Sequence, residues 1–174
     1  MKRTFFSLAL LLAVATLTAQ TKMTAREAAV KIADRILAST TYEFKNTKTG
    51  EIYKSVKKLP LDMDVKVACK YNNWHYTNGV TNMALMELGD KLGDKKYEKY
   101  VLKNMNFVFN EGNLDFFRKQ YDEAFKRDGW NAVRKLSWHM IFRGKRLDDN
   151  GPMGASLICL LYTSPSPRDL STSR

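Results

Sequence analysis

The sequence predicts a mostly helical chain whose successive α-helices pair as hairpins lying side by side, so we assign it to the all-α class. Apolar residues recur every three or four positions in most stretches between residues 25 and 142, which is the spacing of one helix face. Short turns, often containing glycine, separate these stretches, and few segments favour a strand. The sequence has no repeat of the length typical of helical solenoids.

The two ends of the chain differ in composition from the rest. Residues 1–19 begin with basic residues, continue with an apolar run and end in small residues, which is typical of a secretory signal peptide. We therefore expect export to the periplasm or the extracellular space. Residues 159–174 lose the helical spacing and resemble a translated sequencing-adapter peptide; the alternative is a disordered Ser/Pro tail. On the first interpretation, the domain comprises residues 20–158 and is truncated within a helix.

Charge and cysteine content restrict the possible partners. The formal charge is +11, and it remains +8 without the predicted signal peptide and the residues from 159 onward. Such a basic excess suits an anionic ligand, whether acidic sugar, anionic lipid or nucleic acid, and export argues against nucleic acid. Two cysteines and two histidines are too few for a disulfide framework or a dedicated zinc site. We expect no cofactor, no metal and no membrane span.

The first helix is predicted from a capping box, Thr24 followed three residues later by Glu27. Its proposed apolar stripe is Ala25, Ala29, Ile32 and Ile36. Residues 46–50 then read as a turn between two short segments that favour strands, 42–44 and 52–53. Residues 54–73 read as an irregular basic connection.

Four further helices are predicted between that connection and residue 142. One begins at Asn78 and carries Val80, Met83, Ala84 and Leu88 on its inner face, ending near Gly93, where glycine suits a left-handed terminus. The next carries Tyr97, Val101, Met105 and Val108. A third, capped by Asn113, carries Phe117, Tyr121 and Phe125 and stops at residues 128–129; residues 130–142 form the fourth.

Two short motifs lie just ahead of predicted helices. Residues 74–80, Trp-His-Tyr-Thr-Asn-Gly-Val, place two aromatic rings before a helix start, where such rings can stack on sugar faces. Asn78 can cap that helix, and Gly79 would let a ligand approach the backbone. Taken alone, the motif is better explained as a cluster of apolar side chains packed beneath the start of the helix.

The second motif, residues 146–158, places Asp148 and Asp149 on a loop before a helix opened by Pro152. Proline suits the first helical turn because its missing N–H would have no partner there. Carboxylates at this position face the positive end of the helix, so the simplest interpretation is an N-terminal cap.

Taken together, Trp-x-Tyr-x-x-Gly at 74–79, Gly-Asp-Lys-Lys-Tyr-Glu-Lys-Tyr at 93–100 and Leu-Asp-x-x-x-Pro at 147–152 follow one another in a distinctive order. In this order they resemble the unsaturated glucuronyl and rhamnogalacturonyl hydrolases, glycoside hydrolase families 88 and 105. The resemblance covers residues 24–158. It implies the N-terminal part of an (α/α)6 toroid, the six-hairpin glycosidase fold, with the active site where the inner helices begin.

The resemblance also implies a reaction, hydration of the 4,5-unsaturated uronic acid that pectin lyases leave on rhamnogalacturonan oligosaccharides. An aspartic acid protonates the double bond and its carboxylate takes a proton from water, after which the hemiketal opens and releases the sugar. A second aspartate orients the substrate. No metal or cofactor takes part.

Residue by residue, Tyr76 matches the aromatic substrate contact of the family, with Trp74 beside it, and Asn78 is a further substrate-binding candidate. Asp148 matches the supporting aspartate, and Asp149 replaces it if the register is shifted by one. The principal acid/base belongs to a later motif, which we do not find before residue 159. We therefore expect the chain by itself to be inactive.

Two alternatives remain open. The chain could be a small helical module that binds acidic glycans or anionic membrane surfaces without catalysis, which predicts salt-sensitive binding. It could also belong to another six-hairpin sugar enzyme, such as an epimerase or a different glycosidase.

Overall fold

A computed structural model of the protein describes residues 23–144 and 147–163. The described chain is mostly helical, with six α-helices and one small sheet, which confirms the mainly-α prediction at that level. The helices are α1 (Ala25–Ser39), α2 (Tyr76–Leu92), α3 (Lys96–Phe109), α4 (Glu111–Val133), α5 (His139–Arg143) and α6 (Leu147–Thr163). The predicted signal peptide and residues 164–174 lie outside the described residues.

The described chain divides into two compact units after Ile32, within α1. In the first unit, the predicted capping box is confirmed: the Thr24 backbone N–H and hydroxyl both donate to the Glu27 carboxylate, and the Glu27 N–H donates to the Thr24 hydroxyl. The predicted stripe of α1 is correct only at Ile36, which packs against the core; its other members are exposed, and Ala33 in the second unit is buried instead.

A three-stranded antiparallel sheet follows α1, with the order β2-β1-β3. The strands are β1 (Phe44–Asn46), β2 (Ile52–Tyr53) and β3 (Val65–Val67). The hairpin of β1 and β2 is confirmed, although β1 begins at Phe44, two residues later than predicted. The strand β3 lies in the stretch that the sequence left irregular. Phe44 is almost completely buried, and its ring contacts those of Phe107, Phe116 and Phe117, which joins the sheet to the helical core.

The helices α2 and α3 form a hairpin through the predicted glycine turn. Gly93 adopts a left-handed conformation (φ 66°), and its N–H donates to the carbonyls of Gly89 and Asp90, which ends α2 as expected. The predicted stripe of α3 is confirmed, because its residues are all buried: Tyr97, Val101, Met105 and Val108.

The buried face of α2 differs from the prediction. Val80 and Ala84 are exposed, and the buried positions are Asn78, Gly79, Asn82, Leu85, Met86 and Gly89. The helix also starts at Tyr76, two residues before the expected position, with His75 as its N-cap. Hydrophobic spacing therefore located this helix but assigned only part of its packed face, since Met83 and Leu88 are partly buried against the core.

The remaining helices depart from the predicted boundaries. Asn110, not Asn113, caps α4, and the exposed Phe125 does not face inward. The interruption at residues 128–129 is confirmed, since both residues leave helical geometry and Gly129 has φ 49°. Residues 130–142 are not one helix, because a turn separates the end of α4 from the short α5.

The last described helix, α6, begins earlier and ends later than predicted. It starts at Leu147, so Asp148 and Asp149 lie in its first turn rather than on a loop, and Pro152 lies inside it. Proline lacks an N–H, so it cannot donate to the carbonyl of Asp148 one turn earlier. The helix continues through residue 159 to Thr163, and Leu160 is buried in the core. None of the described helices combines the length and apolar character needed to cross a membrane.

Candidate functional site

The two motifs singled out from the sequence lie against each other at the starts of α2 and α6. Trp74 and Tyr76 at the start of α2 contact Asn150 and Asp149 in the first turn of α6. One turn further along α2, Gly79 lies against the backbone of Pro152 and Met153. The contacts thus advance in the same direction along both helices, so the helices begin at one common end.

Gly79 permits this close approach. A Cβ placed on Gly79 would lie 2.4 Å from the carbonyl carbon of Pro152 and 2.5 Å from the nitrogen of Met153. Both distances are far below van der Waals contact, and both atoms belong to backbone that cannot rotate away. The interpretation that Gly79 admits a ligand is therefore wrong: the space beside it is filled by α6.

Of the two candidate carboxylates, Asp149 is the one that faces the first motif. Asp149 is only 6% exposed, whereas Asp148 is exposed to solvent. An Oδ1 atom of Asp149 accepts a long hydrogen bond from the Tyr76 N–H (3.4 Å) and lies 3.9 Å from Nε2 of His75. The first-turn N–H groups of α2 lack helical partners and carry partial positive charge, so a carboxylate is favourable there.

The ring of Trp74 is buried within the protein. It is 6% exposed, its Nε1–H donates to Oδ1 of Asn150 (2.8 Å), and its ring centroid lies 6.1 Å from those of Phe109 and Trp138. An aromatic side chain enclosed in this way joins helices and supports the site from beneath. The expectation of a surface-stacking tryptophan is therefore wrong for the described structure.

Tyr76 is the aromatic residue of the motif that remains accessible. It is 47% exposed, and its ring lies beside that of His75, with centroids 4.7 Å apart. His75 is exposed and its Nδ1 accepts from the Thr77 N–H, which caps α2. The exposed edge of the site thus consists of a phenol and an imidazole, and the largely buried carboxylate of Asp149 lies beside them.

Asn78 has a structural position beneath this edge. It is buried, and its amide Nδ2 donates to the carbonyls of Lys70 (3.0 Å) and Asn73 (2.8 Å). These bonds fasten the loop before α2 to the helix. Asn78 is therefore not the N-cap that the sequence indicated, and both of its amide protons are engaged within the protein.

Three further side chains belong to the site, although the sequence reasoning did not select them. His75 and Asn150 lie within the two motifs and contact Asp149 and Trp74 respectively. Asn72 is almost fully buried under the start of α2, and neither of its amide atoms has a partner among the described residues. The run of asparagines at 72, 73, 78 and 82 was the available signal, because buried amides require specific partners.

The arrangement provides one carboxylate, one imidazole and one phenol within a short distance. A carboxylate held at a helix start can orient a sugar hydroxyl or exchange a proton, and an exposed tyrosine ring can stack on a sugar face. Among residues 23–144 and 147–163, no three His, Cys, Asp or Glu side chains are grouped as metal ligands would be.

Comparison with known proteins does not assign the chain to a family: no family model, no curated protein and no solved structure matches it. The likeness to the unsaturated uronyl hydrolases consequently rests on the motifs and their order.

Proposed function

We propose that this chain forms part of an unsaturated uronyl hydrolase, a pectin-directed glycosidase exported from the cell. The observation that carries the proposal is the meeting of the two motifs at one end of α2 and α6, where Asp149 lies beside the backbone of Tyr76. An active site built from the starts of neighbouring helices is the arrangement that an (α/α)6 toroid would provide. The substrate would be a lyase-generated rhamnogalacturonan oligosaccharide ending in a 4,5-unsaturated uronic acid.

In this proposal, Asp149 takes the supporting role that the sequence had given first to Asp148. Asp149 contacts the first motif, whereas Asp148 is exposed to solvent. Its carboxylate would accept hydrogen bonds from the sugar hydroxyls and hold the unsaturated ring against Tyr76. Its closeness to His75 would keep the imidazole oriented toward the same space.

The chemical step adds water across the vinyl ether. A proton is delivered to one carbon of the double bond, water adds to the other carbon and loses a proton to the resulting carboxylate, and the hemiketal then opens. The proton count balances without any cofactor. By the resemblance, the aspartic acid that delivers the proton belongs to a later segment of a longer hydrolase domain, so this chain by itself would bind without turnover.

The test is a comparison of Asp149→Asn with Asp148→Asn in the hydrolase that contains this chain. The assay follows loss of the double bond of an unsaturated rhamnogalacturonan disaccharide by ultraviolet absorbance. Asp149→Asn should lower kcat/KM by about 100-fold, the scale expected for losing a positioned carboxylate. Asp148→Asn, which removes the same charge one residue away, should remain within about twofold.

Three results would count against the proposal. Absence of activity on the unsaturated disaccharide in the hydrolase that contains this chain would contradict the proposed function. A severe loss in Asp148→Asn with normal activity in Asp149→Asn would restore the original register. Equal activity on saturated oligosaccharides would indicate a different six-hairpin sugar enzyme.

A further inference from the structure

A polar cleft lies between the sheet and α4, and it shares no residue with the candidate site at the starts of α2 and α6. Its volume is about 570 Å³, within the range of small-ligand pockets, and it is lined by Lys48, Asp62, Met63, Asp64, Lys66, Arg127 and Lys135. The side chains come from the turn after β1, the start of β3, the end of α4 and the turn that follows α4. Residues far apart in sequence therefore bring four cations to one concave surface.

The positive charge of the cleft is only partly balanced. Lys48 forms an ion pair with Asp64 (2.6 Å), and this contact holds the pKa of the lysine above its usual value; the charge of Asp62 adds to the rise and that of Arg127 opposes it. Within the described part of the chain, no carboxylate lies within ion-pairing distance of Lys66, Arg127 or Lys135. Like charges gathered in a concave surface repel one another, and an anion bound between them would relieve that repulsion.

The walls of the cleft are held by buried hydrogen bonds. Gln120 of α4 is 3% exposed, and its Nε2 donates to the carbonyls of Asp62 (2.6 Å) and Val65 (2.9 Å). On the other side, the backbone N–H and hydroxyl of Thr47 both donate to the carbonyl of Asp64 (2.8 and 3.0 Å). The segment that carries the acidic residues and Lys66 is thus fixed between α4 and the β1 turn before any ligand binds.

We propose that this cleft binds an acidic oligosaccharide through the carboxylates of its uronate residues. Lys66, Arg127 and Lys135 would contact the uronate carboxylates, and Asp62 would accept hydrogen bonds from sugar hydroxyls. Met63 offers an apolar surface for the C–H face of a sugar ring. The binding requires no hydrolysis, so it holds or fails independently of the proposed activity.

The composition of the cleft favours an acidic sugar over a phosphate-rich partner. Two carboxylates lie among the four cations, so the lining mixes hydrogen-bond acceptors with positive charge and lacks the uniformly positive surface that dense phosphates favour. A concave surface also meets a flat bilayer poorly, whereas it can enclose a short sugar chain. An acidic sugar chain carries both hydroxyl groups and carboxylates. The cations of the cleft can bind its carboxylates, and the acidic side chains can accept hydrogen bonds from its hydroxyl groups.

The test measures binding of a saturated oligogalacturonate to the purified chain by calorimetry. This ligand has no double bond, so it cannot undergo the proposed hydration, and its binding reports on the cleft separately from the activity. We expect Arg127→Gln/Lys135→Gln to raise the Kd about tenfold, the effect of losing charged hydrogen bonds. A control variant, Lys58→Gln/Lys99→Gln, removes the same charge from exposed positions outside the cleft and should change the Kd less than about twofold.

Several outcomes would overturn the inference. Equal weakening in the two double variants would show that net charge alone attracts the sugar. Absence of oligogalacturonate binding at low salt would show that the cleft does not bind acidic oligosaccharides. Tighter binding to vesicles containing phosphatidylserine than to oligogalacturonate, lost in the cleft variant, would assign the cleft to a membrane surface instead.

Discussion

The two helices of the α2–α3 hairpin bury their faces in different ways. The inward face of α3 is apolar, and Tyr97, Val101 and Val108 are completely shielded from solvent. The inward face of α2 carries two asparagines and two glycines beside Leu85 and Met86, and Gly79 lies against the backbone of α6. Hydrophobic spacing therefore describes α3 well and α2 poorly, because close helix contact selects for small residues rather than for apolar ones.

The largest effect that would sharpen this comparison is expected from Gly79→Ala. The new methyl group would overlap the backbone of Pro152 and Met153, so α2 and α6 would have to separate. We expect the free energy of unfolding to fall by about 3 kcal/mol, the upper range for overpacking a core. Chemical denaturation followed by circular dichroism measures the change.

The matched control for that substitution is Gly154→Ala in α6. Gly154 has no neighbouring atom within 4 Å of an added Cβ, so the change should be neutral or should stabilise the helix by up to about 1 kcal/mol. Equal destabilisation by the two alanines would contradict the close packing of α2 on α6.

On the apolar side of the comparison, Val101→Ala should cost about 2 kcal/mol. Val101 is completely buried, so the substitution loses the free energy gained by burying its methyl groups and also leaves a cavity. Val80→Ala on α2 provides the control, since Val80 is 49% exposed and should change the stability by less than about 0.5 kcal/mol. If Val80→Ala were the more damaging, the predicted stripe of α2 would be correct after all.

The smallest expected effect concerns the polar contact between α1 and α3. Lys96 and the Tyr97 hydroxyl both bond the Asp34 carboxylate at 2.9 Å, and these bonds hold the pKa of Asp34 below its usual value. Because the pKa of Asp34 is lower in the folded than in the unfolded protein, the ionised carboxylate stabilises the fold above the unfolded-state pKa, near pH 4. This stabilisation is lost as the pH falls through the folded-state pKa.

Asp34→Asn should therefore destabilise the protein slightly at pH 7 and make its stability less dependent on pH below about pH 4. Thermal melts of the wild type and the variant across the acidic range measure this difference. An unchanged acid profile in the variant would mean that Asp34 does not contribute to the acid sensitivity of the fold.

The helical class, the Thr24 cap, the β1–β2 hairpin and the turn at Gly93 could all be predicted from the sequence. Each depends on interactions between residues close in the chain, such as a hydroxyl bonding a nearby N–H or a glycine with positive φ. The strand β3 could not be predicted in this way, because its pairing with β1 joins segments separated by the intervening loop.

For the candidate site, the sequence linked the two motifs but selected neither His75 nor Asn150 and did not give the geometry. The sequence indicated that residues 74–80 and 146–158 act together, and the structure places Tyr76 beside Asp149. It could not indicate which carboxylate faces inward, because that depends on where α6 starts, and a start at Leu147 instead of Pro152 turns Asp149 toward Tyr76. It also could not show that Trp74 is covered by Phe109 and Trp138, which come from distant segments.

A ligand titration followed by amide NMR tests whether the two motifs form one uronate-binding site. Unsaturated rhamnogalacturonan disaccharide is added to the isotopically labelled chain, and binding requires no turnover. The amide resonances of Tyr76 and Asp149 should shift together with a single Kd, and the Tyr76→Ala variant should weaken that Kd. Binding that leaves both resonances unmoved while those of Lys66 and Lys135 shift, or no binding at all, would contradict the claim.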